Sequence, residues 1–107
     1  MILNPVFLKT LESLKEMPGL YLGGRSLLAL RHFVRGYLAR EEELGIKHEQ
    51  GINLNDFQKY IENLYNLDNT SKDCFTLVYD LSEDKDNALD LFFKLFDDYS
   101  GSVTHLN

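Results

Sequence analysis

An all-α fold follows from three features of the 107-residue chain. Apolar residues recur at three- and four-residue intervals through almost every segment, the repeat of one helix face. Helix-starting residues stand ahead of those runs, at Asn4-Pro5, Ser26, Asn55-Asp56 and Ser82, and proline or glycine closes several of them. Links between runs are short, so each apolar stripe must be buried on another helix. The expectation is a single-domain bundle of about five amphipathic helices, with an ordered core over about residues 5–100.

Asn4 reads as an N-cap, and Pro5 takes the first helical position, where its missing N–H costs nothing. Phe7, Leu11 and Leu14, with Leu8 beside them, mark a face to bury and give a helix over about 5–16. Pro18 disfavours the α conformation at Met17 and ends it. Gly19 to Arg25 is glycine-rich yet carries Leu20, Tyr21 and Leu22, which reads as a packed loop. Ser26 caps a long helix to about Leu44, with Leu27, Leu30, Phe33, Val34, Tyr37 and Leu38 as its stripe and Gly45 just past its end. Gly36 in its middle costs ~1 kcal/mol relative to alanine, which reads either as a second element passing close or as a tolerated inefficiency.

Ile46 to Leu54 is polar and irregular. Asn55 or Asp56 caps a third helix to about Asn66, with Phe57, Ile61 and Leu64 inward and Tyr60 and Tyr65 flanking. After a turn at 67–70, Thr70-x-x-Asp73 is a capping-box variant. It opens a shorter helix over about 72–80 that buries Cys74, Phe75, Leu77, Val78 and Leu81, although Phe75 to Tyr79 also suits a strand by propensity. Ser82 caps the last helix, with Glu83, Asp84 and Asp86 in its first turn, where carboxylates complement the macrodipole. Ala88, Leu89, Phe92, Leu95, Phe96 and Tyr99 form its stripe, Ser100-Gly101 its end, and a loose tail follows from Ser102.

Composition narrows the class. Hydrophobic residues make up 44%, ordinary for a globular chain and too many for intrinsic disorder. Cys74 stands alone, which excludes an intramolecular disulfide. No apolar run approaches the ~18–20 residues that cross a bilayer, and Met1 to Pro5 shows no signal-peptide pattern. The expected setting is the cytoplasm. Net charge is −6, and it is unevenly placed: residues 56–107 hold eleven acidic and four basic side chains. Phosphate contacts dominate nucleic-acid affinity, so this balance argues against direct binding to nucleic acid and for a basic partner.

Catalytic and metal patterns are not met. His32, His48 and His105 have no ligand spacing with one another or with Cys74, and His32 reads as a surface or core-edge residue. Asp84-Lys85-Asp86 starts like a calcium loop, but Leu89 stands where glycine is needed and Leu95 where glutamate is. Gly23-Gly24-Arg25-Ser26 lacks the P-loop lysine and the Rossmann glycine spacing. Cys74 lies among apolar neighbours, the setting of an inert buried thiol. We therefore expect no enzyme activity, no cofactor and no metal.

What remains is charge interleaved with tyrosine. Asp80, Glu83, Asp84, Asp86, Asp97 and Asp98 crowd the two ends of the last helix and are the candidate partner contacts, with Tyr79 and Tyr99 as anchors. The rival reading is a small regulatory adaptor or nucleic-acid-associated module that uses Arg25, Arg31, Arg35 and Arg40 on the second helix.

Met17-Pro18-Gly19-Leu20-Tyr21-Leu22-Gly23-Gly24-Arg25-Ser26-Leu27, followed by Leu30, Phe33 and Gly36-Tyr37, resembles the opening block of a family of small all-helical bacterial immunity proteins of contact-dependent growth inhibition and other polymorphic toxin systems. Phe57-Gln58-x-Tyr60-Ile61 and the segment Asp86 to Asp97 resemble its later blocks, so the likeness spans about residues 5–99. Phe75-Thr76-Leu77 stand where the family pattern often has a tryptophan-containing segment. The resemblance implies a protein that binds the C-terminal toxin domain delivered by a neighbouring cell, often a nuclease, and neutralises it stoichiometrically. The matched positions are structural, so they transfer no toxin-contacting residue, and the oligomeric state stays open.

Overall fold

The computed structural model describes residues 2–105, with side chains through Ser102. The chain is all-α. Among the described residues the elements are α1 (Pro5–Glu16), α2 (Pro18–Leu22), α3 (Leu27–Glu43), α4 (Leu54–Leu64), α5 (Cys74–Leu81), a 3₁₀ turn (Lys85–Asn87) and α6 (Ala88–His105). A two-residue ladder joins β1 (Ile2–Leu3) to β2 (Ile52–Asn53), antiparallel, with Ile2 opposite Asn53 and Leu3 opposite Ile52.

Helix α1 forms as its residues require. The Asn4 side chain accepts the Phe7 N–H at 3.0 Å, and Pro5 is the first helical residue. Phe7, Leu11 and Leu14 are buried, and the Phe7 ring stacks on Tyr37 of α3 with centroids 4.1 Å apart. Pro18 closes α1 but opens α2, because proline is as well suited to a helix start as it is unsuited to a helix interior. The expected packed loop at 19–25 is therefore a short helix that ends at Gly23, whose φ of +74° favours glycine. Leu20 and Tyr21 on it are exposed rather than packed.

Helix α3 starts where Ser26 accepts the Ala29 N–H at 3.1 Å, and its stripe divides into buried Leu27, Leu30 and Val34 and half-buried Phe33, Tyr37 and Leu38. Gly36 faces open space: a Cβ built there meets nothing within 4 Å. No close approach explains this glycine. Gly36→Ala is accordingly expected to raise stability by about 0.5–1 kcal/mol, read as a higher urea midpoint at unchanged slope.

The segment before α4 differs from expectation. Its ladder with the N-terminus fixes Asn53 in extended geometry, so Asn53, not Asn55 or Asp56, caps α4 and accepts their N–H groups at 2.8 and 3.4 Å. Buried Leu54 is thereby drawn into the first turn. Helix α4 stops at Leu64, before Asn66 with its φ of +55°. Thr70 does not begin a capping box. Its N–H and hydroxyl both donate to Glu62 of α4, and Asp73 caps α5 by accepting the Thr76 N–H at 2.8 Å.

Helix α5 is the hub: it packs on α3, α4 and α6, and buries Cys74, Phe75, Leu77 and Val78. The strand alternative at 75–79 does not form. Ser82 ends α5 rather than starting the last helix, because its hydroxyl donates to the Asp84 carbonyl while its N–H serves the Val78 and Tyr79 carbonyls. Asp84 takes over as cap, accepting from the Asp86 N–H and the Asn87 amide, each at 3.0 Å. Glu83, Asp84 and Asp86 thus precede the last helix, which begins at Ala88 and has Asp90 in its first turn. Gly101 keeps negative φ and α6 continues to His105 in place of the loose tail expected from Ser102. Leu106 and Asn107 of that tail lie outside the described residues. Phe57 at the centre makes edge contacts with Phe92 and Phe96 of α6.

Candidate functional site

The eight residues singled out from the sequence occupy two places. Tyr79, Asp80, Glu83, Asp84 and Asp86 share one corner, formed by the end of α5, the 3₁₀ turn and the start of α6. Asp97, Asp98 and Tyr99 lie two to three helical turns away along α6 and diverge from one another. Asp97 and Tyr99 are two positions apart, a rotation of about 200°. Asp97 pairs with Lys15 of α1 at 2.5 Å, whereas Tyr99 packs against Tyr60 and Phe57 of α4. Burial, with Asp56 nearby, pushes the Tyr99 phenol above its ordinary range, as suits a ring that borders the core. Asp98 is half exposed and 3.5 Å from Lys94 on its own helix.

Ion pairing sorts the carboxylates further. Asp80 pairs with Lys72 at 2.5 Å, Asp90 pairs with Arg25, and Asp73 receives Arg31 at 2.8 Å. Glu83, Asp84 and Asp86 are exposed and, among the described residues, have no ion-pair partner. Asp56 and Asp68 lie apart, on α4 and the loop after it, while three of the exposed, unpaired carboxylates of the second half share one corner. A backbone feature reinforces it: the C-terminal carbonyls of α5 carry the negative end of that helix and open onto the same corner.

The arginines behave in the opposite way. Arg25 is paired with Asp90, Arg31 and Arg35 both reach Asp73, at 2.8 and 3.9 Å, and Arg40 meets Glu43 at 3.1 Å. Each such surface pair is worth at most about 1 kcal/mol. Together they nevertheless leave α3 without a set of uncommitted guanidinium groups.

Two groupings were not read from the sequence. Lys85 places its ammonium among the carbonyl oxygens of Tyr79, Asp80 and Ser82, at 2.5, 3.5 and 3.0 Å. Buried Asn4, once its Oδ1 caps α1, turns its amide nitrogen to Tyr37 Oη at 2.8 Å and to His48 Nε2 at 3.2 Å. His48 in turn meets Glu41 at 2.5 Å. A cavity of about 530 Å³ lies beside this cluster, walled by Ile2, Leu38, Ala39 and Ile46. Nothing local marks these contacts in the sequence, since Asn4 and His48 are 44 residues apart.

Two carboxylates hold loops rather than face a partner. Thr70, through its N–H at 3.1 Å and hydroxyl at 3.0 Å, keeps Glu62 below the usual carboxylate range. Burial pushes the Asp73 carboxyl up, but hydrogen bonds from the Thr76 N–H and from Arg31 outweigh it, and the net shift is downward. Groups whose folded value is depressed contribute stability above their unfolded value, near pH 4, and lose it as pH falls through the folded value. The urea midpoint is therefore expected to hold from pH 7 to about 5 and to fall below about pH 4. Glu62→Gln with Asp73→Asn should flatten that fall, and an unchanged acid slope in the double variant would exclude these two groups as its source.

Burial pushes the Cys74 thiol up to about 12, so it stays protonated and is no nucleophile. Among the described residues, no three His, Cys, Asp or Glu side chains converge on a metal-sized site. No described helix is long and apolar enough to cross a membrane. His32 is exposed on α3, and the side chain of His105 lies outside those described. Comparison with protein-family models, curated proteins and solved structures finds no match.

Proposed function

We propose that the chain is an immunity protein, which neutralises a cognate toxin domain, a basic nuclease, by stoichiometric binding in the cytoplasm without chemistry of its own. One observation carries this reading: Glu83, Asp84 and Asp86 stand exposed and, among the described residues, without ion-pair partners at one corner, while Asp73, Asp80, Asp90 and Asp97 are engaged by basic side chains. A nuclease presents cations to phosphate, and a complementary acidic corner speeds capture and covers that surface. The adaptor reading is disfavoured by the pairing of Arg25 and of the three α3 arginines. Tyr79 sits half-buried at the same corner as the anchor, whereas Asp97 and Tyr99 serve the fold.

The polypeptide encoded immediately upstream is the test partner. Co-expression should yield a copurifying pair and restore growth; failure of both would end the immunity reading. Asp84 also caps the 3₁₀ turn, so charge reversal is best confined to Glu83→Lys and Asp86→Lys. That double variant should associate about tenfold more slowly at low salt, with the difference closing as ionic strength rises. Unchanged stopped-flow rates at low salt would remove this corner from the interface.

A further inference from the structure

The corner already holds an ammonium group. Lys85 Nζ lies 2.5 Å from the Tyr79 carbonyl oxygen, 3.0 Å from that of Ser82 and 3.5 Å from that of Asp80, and 4.7 Å from the centroid of the Tyr79 ring. These oxygens belong to the last turn of α5 and the residue after it, where the dipole is negative; the Tyr79 oxygen also accepts the Ser82 N–H at 3.3 Å. A primary ammonium has three N–H donors, and the three oxygens and ring face match it. Glu83, Asp84 and Asp86 stand close in sequence on either side of Lys85, so three unpaired carboxylates share the corner with one ammonium.

We propose that this carbonyl cage is a primary-ammonium site, filled in cis by Lys85, into which a lysine side chain of the protein partner exchanges. Only the identity of that partner rests on the immunity reading. The choice of a protein lysine over a free amine comes from charge. A single amine would merely replace Lys85, whereas a cationic protein surface can fill the cage and satisfy the flanking carboxylates together. Lys85 is exposed and sits on a short 3₁₀ turn, so its departure breaks no core contact.

Chemical rescue tests the site on the full chain. Lys85→Ala empties the cage and should lower the melting midpoint. Adding 50 mM n-butylammonium chloride should then raise that midpoint by about 2 °C more than equal sodium chloride does. Nα-acetyl-lysine amide should act alike, and tetramethylammonium, which has no N–H, should not. Wild type, with its cage filled, should show no amine-specific rise. Absence of any amine-specific rise in the variant overturns the cage. Rescue by n-butylammonium but not by the acetyl-lysine amide overturns the partner-lysine half. Should Lys85→Ala fail to fold, ¹⁵N spectra of the intact protein decide instead. The Lys85 ammonium protons should exchange measurably more slowly than those of exposed Lys94, and equal exchange overturns the proposal. None of these measurements involves the toxin, so their failure and the failure of the immunity reading are separable.

Discussion

Phe57→Ala is expected to cost about 3–5 kcal/mol, a large share of the stability of a domain this size. Phe57 is fully buried, and its ring meets Phe92 and Phe96 edge-on at 5.6 and 5.2 Å while Tyr60 and Tyr99 lie 6.5 and 5.5 Å away. Truncation removes the transfer free energy of the ring and leaves a cavity walled by other rings. Stiff aromatic walls collapse poorly into such a space, which places the cost toward the upper end. In urea the midpoint should fall by about 2 M with little change in slope. A drop corresponding to less than about 1.5 kcal/mol would mean that α4 and α6 are not locked through this residue. Phe57→Leu, which keeps most of the volume, should recover much of the loss.

The comparison of Phe57 with the surface charges explains what the sequence could and could not disclose. Phe57 and Ile61, like Phe7, Leu11 and Leu14, repeat at helical spacing, and periodicity is a local property that survives without knowledge of the fold. Helices α1 and α3 accordingly begin and end within a residue or so of where their caps and stripes put them. Elements too short for their period to repeat were not legible. Ile2-Leu3 is two residues long and pairs across about fifty positions, and the turn of helix at Pro18–Leu22 looks like any glycine-flanked loop. Caps were legible as residue types but not as choices between neighbours. Ser82 and Asp84 are both good caps, and the contacts of Ser82 with α5 decide between them.

The same distinction governs the site. Where the acid lies in the chain is plain from the sequence, but which carboxylates remain available depends on partners 82, 65 and 42 positions away, in Lys15–Asp97, Arg25–Asp90 and Arg31–Asp73. Long-range pairing thus ties Asp97 to α1, while Glu83, Asp84 and Asp86 have no ion-pair partner among the described residues. In the sequence Lys85 is only the middle residue of Asp84-Lys85-Asp86. Its role is visible only once α5 ends beside it and supplies carbonyls.

Gly51→Ala should be the most damaging of the glycine substitutions, at about 3 kcal/mol or more. A Cβ at Gly51 would stand 2.0 Å from the Leu3 carbonyl oxygen and 2.8 Å from its carbon, and the φ of +134° is itself strained for an L side chain. Neither neighbour is the flexible end of a side chain, so relief requires the backbones of β1 and residue 51 to part. Separation would draw Leu3, 1% exposed, from the core and loosen Asn4, whose side chain caps α1 and reaches Tyr37 and His48. One methyl group would thereby disturb an N-cap and a polar cluster that it does not touch. Two readouts separate the possible forms of this damage. If the ladder and core act as one unit, the urea midpoint falls with the full cost. If instead only residues 2–4 peel away, the midpoint changes little while amide exchange at Leu3 and Ile52 accelerates many-fold. A variant with wild-type midpoint and wild-type exchange would show that the ladder does not hold the N-terminus. Gly36→Ala, at a glycine facing open space, is the internal control, and its opposite sign would tie the effect to the contact at Leu3 rather than to glycine as such.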